Sequence, residues 1–147
     1  MDIQRYFRGN WRSPEAFLIL MAVAMPLSFS TWMALINNFA IERAAFTGVE
    51  IGILQSLREI PGFLAFAVVF LLLLMREQTL GLVSLLLLGI GTAITGALPS
   101  VVGLYATTVL MSLGFHYYET VRQSLVLQWI SKEEAPHFMG QLIAVGS

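Results

Sequence analysis

Apolar residues fall along this chain in long unbroken runs, not in the narrow stripes of a soluble helix. A membrane-crossing helix takes about 20 residues at 1.5 Å rise each. Four runs of that scale occupy 17–40, 49–75, 80–98 and 101–130, and a fifth begins at 138 and stops at 147. By the same rise the fifth covers only about 15 Å, half of a bilayer, which predicts a fragment of a longer membrane protein. The connections are short, so each helix is expected antiparallel beside its predecessor. The expected fold is an all-α integral membrane protein, an antiparallel transmembrane helix bundle with four full spans plus the start of a fifth. An interfacial segment at 1–16 precedes the transmembrane domain at 17–147.

Composition agrees with that pattern. The chain is 57% hydrophobic and only 12% charged, with a mean hydropathy of +0.78, more apolar surface than 147 residues could bury as a soluble domain. The lipid bilayer is therefore the first expected partner. A net charge of -1 gives no electrostatic footprint for nucleic acid. The absence of Cys excludes disulfides, zinc–thiolate sites and thiol catalysis.

Charge sets the expected orientation. With four spans, Arg5, Arg8, Arg12, Arg76 and Lys132 fall on one side and only Arg43 on the other. The positive-inside rule then puts the amino terminus in the cytosol of a multi-pass protein of the cell membrane. Tyr6, Phe7 and Trp11 alternate with the first three arginines, as in an interfacial anchor whose rings sit at headgroup level. Pro26 predicts a kink in the first helix, and Pro136 an interruption just after the acidic turn at 131–134. Glycines concentrate in the third and fourth runs, where small residues let helix backbones approach closely.

The exceptions to the apolar runs carry the candidate chemistry. Thr108, Ser112, His116, Glu119 and Arg122 follow one another at spacings of four, four, three and three, along one side of a helix. A charge at membrane depth is costly, by about 2.5–3.5 kcal/mol on insertion scales, so a retained one usually serves a cavity, a pathway or an internal pair. Glu119 and Arg122 are placed to pair on their own helix, with His116 one turn away. In the second run Gln55, Arg58, Glu59 and Gly62 share a face and form a second intramembrane polar network. Arg58 and Glu59 are about 100° apart around that helix, so each is expected to find a separate partner, with Ser30 and Thr31 as neighbours of Arg58. Arg58 lies about 15 Å below the start of its span, and Glu119 and Arg122 about 27 and 31 Å below the start of theirs. Two polar levels are therefore expected in one bundle.

His116 and Glu119 alone do not make a metal site, which needs matching ligands from other helices. No HExxH, phosphate-binding loop or nucleophile elbow supports an enzyme, and no cofactor is implied.

GVEIGILQS at 48–56, Arg122 in the fourth span and FMGQLIAVG at 138–146, set within these tightly connected spans, resemble the beginning of a major facilitator superfamily (MFS) transporter. The loop at 74–79 departs from the Asp/Arg-rich signature common in that family. The resemblance implies part of the first half of a twelve-span fold, with the remaining helices on a longer chain. It also implies an unknown small-molecule substrate moved by alternating access between two halves, with protons as a candidate coupling ion. His116, Glu119 and Arg122 are then the substrate-binding or proton-coupling residues. The alternative is a small non-transporting bundle that scaffolds or regulates a partner membrane protein.

Overall fold

The computed structural model describes residues 13–146, and no strand occurs among them. Most of the aromatic and basic segment expected at 1–16 therefore lies outside the described residues, as does Ser147. Helix α1 spans Pro14–Ala44, α2 Gly48–Phe63, α3 Val68–Leu71, α4 Glu77–Thr95, α5 Val101–Trp129 and α6 Ala135–Val145. A 3-10 turn, Leu64–Ala67, joins α2 to α3.

Local chemistry sets the ends. The Ser13 hydroxyl accepts from the Ala16 N–H at 3.1 Å, with Pro14 in the first turn, where its missing N–H costs nothing. Helix α1 closes on Ala45 at φ 54°, and the Phe46 N–H reaches back to the Ala40 carbonyl at 3.2 Å. Thr47 and Glu50 form a capping box at the start of α2, and the Ser100 hydroxyl caps α5 through the Gly103 N–H at 3.1 Å.

Of the two prolines singled out by the sequence, Pro136 departs from expectation. Helix α1 passes through Pro26 without a break in its helical assignment. Pro136 sits in the first turn of α6 and starts that helix instead of interrupting it. The break falls in the second run, expected as one helix over 49–75. Pro61 has no N–H to donate back up the helix, Gly62 follows it, and three residues later the chain tightens into the 3-10 turn.

Among the described residues three segments, Pro14–Ala44, Gly48–Leu71 and Glu77–Thr95, are long and apolar enough to cross a membrane. The 29-residue α5 is not among them, although the length of its apolar run predicts a fourth span. Its position supplies the reason. α5 packs against every other helix and the 3-10 turn, so its Thr107, Thr108 and Ser112 are buried among helices instead of being presented outward. A central helix can be more polar than the helices around it.

Cross-helix pairs fix the directions. A Cβ on Gly81 would meet Val121, one on Gly114 the Leu88 backbone, and one on Gly91 the Met111 backbone, so α4 and α5 run antiparallel in close contact. Glu50 with Tyr105, Arg58 with Ser112 and Leu64 with Tyr117 advance together, so α2 and α5 run parallel. Two apolar clusters hold the ends of this bundle. One gathers Leu18, Tyr117, Leu125 and Phe138, and the other Trp32, Ile36, Leu88 and Met111.

Candidate functional site

The polar groups of α5 divide between two neighbours at two levels. At the upper level the Ser112 hydroxyl donates to the Arg58 carbonyl, pinning α5 to α2. Arg58 does not find a separate partner. Its Nε and Nη2 both donate to Glu59 Oε1, at 3.0 and 2.7 Å, because two long side chains can bend toward each other across the 100° between them. Its third nitrogen, Nη1, lies 3.0 Å from the Met33 sulfur rather than beside Ser30 or Thr31. Gln55 completes this level by donating to the Asn37 side chain at 3.3 Å. The Glu59 side chain is 53% exposed, so this is a pair on the outer surface of the described bundle.

His116 belongs to the same helix contact. A Cβ built on Gly62 would lie 2.9 Å from His116 Cε1, so the imidazole occupies the space that a side chain at 62 would take. Its ring also meets Phe115 edge-on, with centroids 5.2 Å apart. The Pro61–Gly62 step therefore breaks α2 and makes room for His116 together.

The lower level faces α1 and α6. Arg122 Nη2 donates to Glu119 Oε2 at 2.6 Å, and the two side chains are 16% and 24% exposed. Seven residues separate Ser112 from Glu119, so the two levels stand about 10 Å apart along α5. Glu119 and Arg122 line a cavity of about 330 Å³ between α1, α5 and α6. Its apolar wall includes Met25, Phe29 and Phe115, with the two phenyl rings stacked at 4.1 Å and 12°. Ser30, expected beside Arg58, lines this cavity instead, and His116 does not.

Glu119 Oε1, Arg122 Nε and the Tyr118 hydroxyl are buried atoms with no hydrogen-bond partner in the protein. Tyr118 is fully buried, and the Arg122 guanidinium stands 6.0 Å from the centre of its ring. Thr108, the first member of the sequence stripe, is also buried and unpartnered, but it does not line the cavity.

The sequence reading brought Glu119 and Arg122 together correctly and missed Tyr118, Phe29 and Phe115. The signal for Tyr118 was present, since it lies four residues before Arg122 on the same helix face. Phe29 had no such local signal, because its role depends on where α1 crosses α5. Among the described residues no group of three His, Asp or Glu converges as metal ligands would.

The pair and its cavity carry the functional reading without support from relatives: no protein-family model, no curated protein and no solved structure matches this chain.

Proposed function

We propose that this chain is part of a secondary transporter that moves a small solute across the cell membrane by alternating access, in the manner of the first half of an MFS protein. In this reading α5 is a fourth span and α6 the start of a fifth. The Lys and Arg bias supports an amino terminus in the cytosol. The observation that carries the proposal is the Glu119–Arg122 pair lining the 330 Å³ cavity. Charge kept inside an apolar bundle and aimed at a cavity is the arrangement expected of a solute pathway.

Glu119 and Arg122 are assigned to the solute. The Arg58–Glu59 level acts as a separate network, and His116 sits at the α2–α5 seam, where a change in packing at Gly62 would couple the two levels. The parallel course of α2 and α5 supports such coupling, since Ser112 and His116 contact α2 at successive turns.

The test is uptake of a solute panel into proteoliposomes holding the full-length gene product. Arg122→Ala and Glu119→Gln should each lower uptake by about tenfold or more, the loss expected when a buried charged partner is left unmatched. Unchanged uptake and proton response in both variants would refute the assignment. Absence of uptake for every solute would favour the scaffolding bundle.

A further inference from the structure

We infer that the side of the bundle carrying Arg58, Glu59, Glu119 and Arg122 faces a water-filled pathway at membrane depth, while the apolar side of α2 faces lipid. This deepens the transporter reading and rests on it for the purpose of the pathway.

Depth is the first constraint. Glu59 is the twelfth of the 24 residues in the apolar segment Gly48–Leu71. By helical rise it lies about 16 Å along that segment, close to the middle of a hydrocarbon core about 30 Å thick. Its side chain is 53% exposed on the bundle surface, and a carboxylate at that depth in contact with acyl chains is strongly disfavoured. Something polar therefore covers it.

Helix α1 joins this level to the cavity. Ser30, Met33 and Asn37 stand at i, i+3 and i+7 and share one helix face. Ser30 lines the cavity with Glu119 and Arg122, Met33 meets Arg58, and Asn37 accepts from Gln55. The two levels are separate as bonded networks, yet both lie along the side that this face of α1 borders. The other side of α2 is different in kind. Leu57 lines a groove against α5 with Val102, Val109 and Leu110, and Ile60, three residues after Leu57, extends the same apolar face.

Water suits the polar side better than a partner helix. Its charges are already neutralised in pairs, Arg58 with Glu59 and Glu119 with Arg122, and Gln55 is bonded to Asn37. No counter-charge from another chain is called for. What the half-exposed Glu59 still requires is hydration. The cavity of about 330 Å³, lined by a charged pair and Ser30, is polar and roomy enough for several waters, each of which takes about 30 Å³ in the liquid.

Thiol accessibility tests the inference. The sequence contains no Cys, so a single Cys introduced into the full-length gene product, with any cysteine outside residues 1–147 changed to Ser, reports its own surroundings. Met33→Cys puts the probe beside Arg58 on the polar side, at a position 41% exposed. Ile60→Cys puts it on the apolar side, at a position 44% exposed and one residue from Glu59. Neither substitution removes a charge. A charged methanethiosulfonate that does not dissolve in lipid is applied to both faces of native-membrane vesicles, and modification is followed by mass spectrometry, with SDS-denatured samples giving the full extent. Met33→Cys should react about tenfold or more faster than Ile60→Cys, because the charged reagent is excluded from lipid. Equal rates, or protection of Met33→Cys, would overturn the inference, since lipid or a packed helix then covers the polar side. Ser30→Cys, a near-isosteric change at the cavity, repeats the comparison with the same expected and overturning results should Met33→Cys fail to fold. Fast reaction at Met33→Cys without uptake of any solute into proteoliposomes would refute transport and leave the inference standing. Uptake with Met33→Cys protected would do the reverse.

Discussion

Replacing Gly114 with Ala tests the packing that holds the site helix in place. A Cβ at this position would lie 2.5 Å from both the Leu88 nitrogen and the Ser84 carbonyl oxygen, and 3.0 Å from the Leu88 Cα. These obstructing atoms are backbone, so no rotamer change can clear them. Ordinary contact begins at 3.4 Å, which requires α4 and α5 to part locally by about 0.9 Å. A gap of that size forfeits a quarter to a half of the dispersion energy of each affected contact. Over-packing of this kind costs about 1–3 kcal/mol, and backbone against backbone belongs at the upper end. The better helix propensity of Ala returns at most about 1 kcal/mol, leaving a net loss of about 2 kcal/mol. Gly52→Ala is the matched control, because nothing lies within 4 Å of its Cβ position inside α2. It should be neutral or stabilising by about 0.5–1 kcal/mol. Unfolding of the purified protein in mixed micelles by SDS, followed by far-ultraviolet circular dichroism, compares the two. Equal stability of Gly114→Ala and the parent would refute the close α4–α5 approach on which the position of Glu119 and Arg122 depends.

Two further outcomes follow from the same geometry. Gly62→Ala drives a Cβ to 2.9 Å from the His116 ring and should destabilise by about 1 kcal/mol in the same unfolding assay; adding His116→Ala should remove most of that loss, and a strictly additive double variant would contradict the contact. Glu119→Gln and Arg122→Gln should each cost about 1–3 kcal/mol, less than for a fully buried pair because the side chains are 24% and 16% exposed. The double variant should cost less than the sum, which a double-mutant cycle measures directly.

What could be read from the sequence was whatever depends on helical period and local caps. Apolar runs of bilayer length located α1 and α4 to within a few residues, and a spacing of three made Glu119 and Arg122 a pair on one face, as the 2.6 Å contact bears out. The same reasoning separated two polar levels, because rise per residue is a local quantity. It failed where a side chain has to choose among neighbours. Helical angle alone gave Arg58 and Glu59 different partners, yet long flexible side chains closed on each other. His116 and Glu119 look equivalent on one stripe, but the space left by Gly62 draws the imidazole to α2 while Glu119 turns to the cavity against α1 and α6.

The sequence expectation of a kink fell on Pro26 and none fell on Pro61, and only the tertiary structure decided that α1 runs on through its proline while the second run tightens into a 3-10 turn after Pro61 and Gly62. The central place of α5 was likewise not written in its own hydropathy, since a polar helix can sit in an apolar bundle only when other helices cover it. The sequence by itself determined which residues form helices and which polar groups share a face, because both follow from contacts three and four residues apart. The tertiary structure alone decided which face meets which helix, and therefore that Phe29 of α1 stacks on Phe115 beside the charged pair, because that contact joins residues that sequence spacing does not relate.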